Sequence, residues 1–243
     1  MATFVLVHGA WHGGWCWAKV APMLEQAGHQ VYTPTLTGLG ERAHLLTKDV
    51  NLATHVSDVI AQLEYEDLMN VVLVGHSYAG IVIRGAAEHA HRRIKKLVYL
   101  DAVLPLSGES VLGSEGPEQP HRIAARLYGD GWRIPKPRAE GSGGVLGVTD
   151  KEDLDWMVER LTDHPLATFE QPIKLASPEA AALPGAYVLC TGRKNEWFES
   201  MAKRAKAMGY QYFEIPTGHD AMISAPRDLV AILLEIVIGR RSD

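Results

Sequence analysis

Val71-Val72-Leu73-Val74-Gly75-His76-Ser77-Tyr78-Ala79-Gly80 is an apolar run that stops at a serine flanked by small residues. Its β-branched and leucine positions predict a buried strand, and Ile81-Val82-Ile83-Arg84-Gly85-Ala86-Ala87 resumes with helical spacing. Ser77 therefore falls at a strand-to-helix turn. Such a turn, a nucleophile elbow, holds the serine in a strained backbone conformation with Oγ projecting above the sheet, and Gly75, Ala79 and Gly80 are small enough to let strand and helix approach. The usual pattern has glycine where Ala79 stands, a mild departure, because the position needs smallness more than positive φ. A Gly-x-Ser-x-small string also arises by chance. Here a strand before it and a helix after it supply the context that a bare string lacks.

Around this turn the chain has 243 residues, 47% apolar and 22% charged. These values suit one domain, or one domain with an inserted cap, and allow a sizeable core. A net charge of -5 leaves no basic stripe for nucleic acid or an anionic membrane, so the expected partner is a small molecule. Cys16 and Cys190 lack any Cys-x-x-Cys spacing, which argues against a zinc site or a disulfide framework. The chain opens directly on the strand Thr3-Phe4-Val5-Leu6-Val7, leaving no room for a secretion signal, and a reducing, cytoplasmic compartment is the expectation. The longest apolar run, Leu229 to Leu234, is broken by Glu235 and reads as a core helix rather than a membrane span.

Strand and helix signals alternate, which predicts a mostly parallel α/β sheet with helices on both faces. The first strand leads into His8-Gly9-Ala10-Trp11-His12-Gly13-Gly14-Trp15, a glycine-rich loop placed to offer a backbone N–H to a developing oxyanion. Ala10 is the candidate donor there, and Tyr78, directly after Ser77, is the candidate for the second. His8 and His12 are four apart, a metal-binding spacing on a helix but not in a loop of this composition; neither metal nor cofactor is expected. Further strands are predicted at Gln30 to Pro34, Lys96 to Leu100, Ala186 to Cys190 and Gln211 to Ile215. Helices are predicted at Val20 to Ala27, Asn51 to Tyr65, Lys151 to Leu161, Phe198 to Met208 and from Pro226 onward. From Val103 to Leu183 the pattern gives way to loops and short helices, with Gly, Pro and Ser concentrated at 108–120 and 135–147. The expected organisation is a core of residues 1–102 and 184–243 interrupted by a cap of residues 103–183. Trp11, Trp132, Trp156 and Phe169 are candidates to line a substrate pocket; as cap side chains the last three would serve equally well as ordinary core.

Thr217-Gly218-His219-Asp220-Ala221-Met222 lies between the last strand and the last helix, so His219 sits at the carboxyl end of a strand, as Ser77 does, where sites of open α/β sheets gather. A serine hydroxyl needs an imidazole to accept its proton, and serine first with histidine last suits such a pair. His89 and His91 read as solvated helix residues. The acid is less direct. After the strand ending at Cys190 the chain reads Thr191-Gly192-Arg193-Lys194-Asn195-Glu196, with cations where a carboxylate is commonest. Glu196 is one candidate and Asp101, at the end of the strand following the elbow strand, is the other. Asp101 is favoured; it would otherwise serve as a turn cap or a partner for Arg84.

The run from Phe4 to Trp15, the string Gly75-His76-Ser77-Tyr78-Ala79-Gly80 and Gly218-His219-Asp220-Ala221-Met222 resemble the α/β-hydrolase branch that contains plant methylesterases, hydroxynitrile lyases and bacterial aryl-ester or pyrethroid esterases. Leu127-Tyr128-Gly129-Asp130-Gly131-Trp132 also resembles the bacterial esterases. The resemblance implies the α/β-hydrolase fold, Ser77 as nucleophile, His219 as base, Ala10 and Tyr78 as oxyanion donors, and cleavage of a small-molecule carboxylic ester; the apolar side chains of the cap are consistent with a hydrophobic acyl or aryl group on that ester. Arg193 departs from the aspartate of the plant members. Two rival activities accompany the resemblance: cyanohydrin cleavage, and a receptor-like protein with slow turnover. The lyases carry threonine where Gly9 stands and lysine where Asp220 stands, so esterase is the favoured expectation, and intact Ser77 and His219 argue against a mere binder.

Overall fold

Val, Ile and Leu fill both pleat faces of the predicted strands, and such strands need cover on both sides. The computed structural model, which describes residues 1–113, 119–138 and 146–238, supplies it. Six parallel strands form one sheet in the order β2 (Gln30–Tyr32), β1 (Thr3–Val7), β3 (Val71–His76), β4 (Ile94–Leu100), β7 (Gly185–Cys190), β8 (Gln211–Ile215). Alternate residues point to opposite faces. Val5, Val7, Leu73, Leu97, Tyr99 and Tyr187 join one buried cluster with α2 (Leu52–Tyr65), α3 (Ala79–Ala90) and α8 (Glu196–Ala207). Phe4, Leu6, Val72, Val74, Val98 and Val188 join a second with α1 (Ala21–Gln26) and α10 (Pro226–Ile238).

Where the element ends differ from expectation, local hydrogen bonding gives the reason. The helix expected from Phe198 begins at Glu196 because Asn195 Oδ1 accepts from the N–H groups of Trp197 and Phe198. Asn51 caps α2 in a reciprocal box with Thr54. β2 stops at Tyr32, two residues early, because it pairs with β1 at three positions only.

Between β4 and β7 lie α4 (Pro120–Tyr128), α5 (Lys151–Arg160), α6 (Ala167–Glu170), α7 (Pro178–Ala181) and a short antiparallel pair, β5 (Arg133–Ile134) with β6 (His164–Pro165). The Gly, Pro and Ser-rich stretches 108–120 and 135–147 fall partly outside the described residues. Among the described residues no helix is long and apolar enough to cross a membrane.

The elbow itself is set by close packing. A Cβ at Gly80, on the first turn of α3, would run into the backbone carbonyl of Val103, which follows β4. Backbone cannot yield as a flexible side chain can. Gly80→Ala is therefore expected to lower stability by about 1–3 kcal/mol, the usual cost of overpacking, as read by urea unfolding; an unchanged midpoint would show that this approach does not constrain the turn.

Candidate active site

β3 ends at His76, and Ser77 follows with φ +55, left-handed backbone that a non-glycine residue rarely adopts. Its N–H donates to Leu100 O at 3.1 Å, and its carbonyl accepts from Val103 N–H at 3.0 Å. β4 ends one residue before Asp101, which also has positive φ, +42, and whose N–H donates to Val188 O of β7 at 2.8 Å. The loop after β8 brings His219 to both. Ser77 Oγ lies 2.8 Å from His219 Nε2, and Asp101 Oδ2 lies 2.6 Å from His219 Nδ1. Asp101 Oδ1 accepts from Cys190 N–H at 3.2 Å. The Arg84 partner considered for Asp101 is taken instead by Glu88, 3.1 Å away on the same helix.

Glu196 lies elsewhere. Its side chain is 85% exposed and pairs with Lys194 at 3.2 Å in the first turn of α8. It is not in contact with His219.

Burial works against charge on His219, but the hydrogen bond and the charge of Asp101, then the charge of Asp220, outweigh it and raise the imidazole above its ordinary 6.5. Because Nδ1 faces a carboxylate, it carries a proton, and neutral His219 presents the lone pair of Nε2 to the serine hydroxyl.

A cavity of about 640 Å³ opens over this trio. Trp11, Val111, Leu112, Phe169, Phe198 and Met201 give it apolar walls, with Gln119, His121 and Asn195 as polar points. Ala10 and Tyr78 line it beside Ser77, and among the described residues neither backbone N–H has an acceptor. Of the four candidate pocket residues, Trp11 and Phe169 line the cavity; Trp132 and Trp156 do not. Trp156 packs edge-on against Trp15 at 5.2 Å with the second core cluster, and Trp132 carries the Arg133 guanidinium at 5.5 Å. Aromatic character marked them, but Trp156 faces the core from its helix and Trp132 lies in the turn before β5.

Behind His219 lies a layer of polar side chains that pattern alone did not disclose. Asp220 is fully buried; it accepts from His12 Nε2 at 3.1 Å and lies 3.5 Å from His76 Nε2. Burial would raise its carboxyl, but His12, with His76 and His219 beyond, holds it below the usual carboxylate range. His12 Nδ1 donates to Ala10 O at 2.7 Å, and His76 Nε2 donates to His219 O at 3.0 Å. Asp220 therefore does not face the cavity, so its departure from the lyases' lysine does not act directly on a bound substrate. Gly9 retains its force against the lyase reading: a Cβ at Gly9 would sit 2.9 Å from both His76 Nδ1 and Ser77 Cβ.

His8 and His55 spend both ring nitrogens within the protein. His8 donates from Nδ1 to Gly9 O at 2.8 Å and accepts at Nε2 from Leu36 N–H at 3.0 Å, and burial pushes it down to about 3. His55 donates to Thr37 O, accepts from Tyr78 Oη and is pushed down to about 4 by burial. His76, His219 and Asp220 bring possible metal-ligating atoms within 4.8 Å of one another. Of these, His76 Nε2, both His219 nitrogens and Asp220 Oδ2 are already in hydrogen bonds.

Because His219 is raised on folding, its contact with Asp101 contributes stability that is fully present below the ordinary histidine value of 6.5 and is lost as pH rises through the higher folded value. The stability lost in Asp101→Asn, measured by urea unfolding, is expected to be larger at about pH 5.5 than at about pH 9. Equal losses at the two values would show that the side chains are not coupled.

A model described as the alpha/beta hydrolase family matches residues 4–232. The chain is 40% identical over 236 residues to the carbendazim hydrolyzing esterase of Nocardioides sp. (strain SG-4G), covering 94% of this chain and 97% of that protein. It is 29% identical over 208 residues to Methylesterase 2 of Arabidopsis thaliana, covering 77% and 76%. In structure it is similar to an extracellular alpha/beta-hydrolase from a Paenibacillus species, with a TM-score of 0.82 at 21% identity over 97% of this chain and 98% of that one, a likeness of fold alone. With a six-stranded parallel sheet and a family match across nearly its whole length, the chain belongs to the alpha/beta hydrolase family.

Proposed function

We propose that the protein is a carboxylic ester hydrolase that works through an acyl-enzyme on Ser77. The observation that carries this reading is the continuous relay from Ser77 Oγ through His219 to Asp101, at 2.8 and 2.6 Å, on the floor of an apolar cavity. Its likeness over most of its length to a protein named as an esterase supports the same class of reaction.

In this reading Ser77 Oγ attacks the ester carbonyl as His219 Nε2 takes its proton. The N–H groups of Ala10 and Tyr78 donate to the oxyanion, which is where charge develops. His219 then returns the proton to the leaving alcohol, and the acyl group stays on Ser77. Water then attacks the acyl carbonyl as His219 Nε2 takes one of its protons, and the bond from the acyl carbon to Ser77 Oγ breaks as His219 gives that proton to Oγ, releasing the acid and restoring the serine. Asp101 keeps Nδ1 protonated and stabilises the imidazolium formed at each step. Residues 103–183 act as a cap on a core of residues 1–102 and 184–243, supplying Leu112, His121 and Phe169 over the serine. The cavity walls suit an ester with a hydrophobic or aryl group.

A short-chain aryl ester tests this directly. Coloured phenol is expected in a burst of one equivalent followed by steady turnover, and Ser77→Ala is expected to cut the steady rate by about a thousandfold or more while leaving the circular dichroism unchanged. No release of phenol would indicate a binder, and an active Ser77→Ala would remove the serine from the mechanism. For the acid, Asp101→Asn is expected to lower kcat by about a thousandfold or more, because an amide cannot stabilise the imidazolium. Glu196→Gln should stay near the parent rate; a crippled Glu196→Gln with an active Asp101→Asn would move the acid to the loop after β7.

A further inference from the structure

His121 stands on the first turn of α4 and lines the cavity, its ring stacked on Trp11 at 6.1 Å and edge-on to Phe169 at 5.4 Å. Its hydrogen-bonding state follows from its neighbour. Gln119 caps α4: its Oε1 accepts from the N–H groups of His121 at 2.7 Å and Arg122 at 3.3 Å. That fixes which end of the amide is oxygen, and so Nε2 of Gln119 is the atom 3.1 Å from His121 Nδ1. An amide nitrogen has only hydrogens to give. His121 Nδ1 must therefore be the bare acceptor, and a neutral ring carries its single hydrogen on Nε2. Burial lowers His121 below its ordinary value, which keeps the ring neutral near pH 7. Among the described residues His121 Nε2 has no acceptor, although the ring lines the cavity.

We propose that His121 is a specificity-determining residue whose Nε2–H donates to an acceptor atom on the substrate, so that the cavity selects aromatic esters bearing a ring nitrogen over their all-carbon counterparts. The inference rests on the esterase reading for what enters the cavity. Trp11, Phe169 and the His121 ring set aromatic surfaces around that donor, which suits a flat ring. A heteroaryl ring satisfies the N–H; a phenyl ring buries it without a partner, and an unmet buried donor costs more than a hydrogen bond gains. The same cap that starts α4 thus sets the tautomer that reads the substrate.

The test compares phenyl acetate with the three pyridyl acetates in the parent enzyme and in His121→Phe, which keeps a ring against Trp11 but has no donor. Each pyridyl rate is divided by the phenyl rate, and the parent ratio by the variant ratio, so that intrinsic reactivity cancels. At least one pyridyl isomer is expected to show a double ratio of about ten, the worth of one neutral hydrogen bond; ratios near one for all three isomers would overturn the proposal. A second measurement needs no variant. The ¹⁵N spectrum of the parent is expected to contain one neutral Nε2–H imidazole that shifts on adding an acetylpyridine but not acetophenone; a spectrum in which no imidazole responds, or in which the responding one carries its hydrogen on Nδ1, overturns it. If no ester is cleaved but that imidazole still responds, the donor stands and the esterase reading falls.

Discussion

Ser77 and Asp101 both hold left-handed backbone, φ +55 and +42, at the ends of neighbouring strands, and each such residue costs on the order of 1–3 kcal/mol. Ser77 N–H to Leu100 O and Val103 N–H to Ser77 O bracket Asp101 between two hydrogen bonds, so neither turn relaxes without breaking the other. The β3–β4 register, parallel from Val72 to His76, transmits that constraint from the core. The sheet thus offers a hydroxyl and a carboxylate side by side, and one loop, after β8, delivers an imidazole to both. Trp11, with φ +66, is a third strained residue on the same rim, next to Ala10. Asp67, Asn70 and Asp130 also hold positive φ, but away from the cavity, whereas these three follow strand ends beside it.

Electrostatics couples these pieces. His219 lies between Asp101 at its Nδ1 and Asp220 behind it, and both favour the charged ring that burial disfavours. Asp220 in turn accepts from His12, whose other nitrogen donates to Ala10 O. One buried carboxylate therefore ties the loop bearing His219 to the loop bearing the Ala10 N–H. His76 Nε2 adds a bond to the His219 carbonyl from the residue just before Ser77. His219, Ser77 and the Ala10 loop are joined by one connected set of hydrogen bonds, so a shift in any member is felt at the others.

Much of this was legible in the sequence. Strands buried on both faces show as continuous apolar runs, and Ser77 and His219 stand where such runs end. What pattern could not reach depends on long-range pairing. His12 and Asp220 are 208 positions apart, and no local signal joins them. Trp132 and Trp156 are marked by chemistry alone, but lining depends on how a turn or a helix face is oriented toward the cavity, which no local signal carries. His121 was missed for the converse reason: a lone histidine on a short helix carries no signal until its ring is seen between Trp11 and Phe169.

The loop after β7 explains why the carboxylate beside His219 comes from β4. Asn195 spends its side-chain oxygen starting α8. That places Glu196 in the first turn, where the helix dipole favours a carboxylate and solvent reaches it, and Lys194 holds it there. A carboxylate so stabilised gains little by turning inward. Yet β7 still contributes, because Cys190 N–H, its last, donates to Asp101 Oδ1 and leaves Oδ2 for His219. The two oxygens are thereby assigned different partners, and the carboxylate cannot rotate without losing one of them. β4, lying between β3 and β7, is the strand from which a single aspartate can meet both the backbone of one neighbour and the histidine that serves the other.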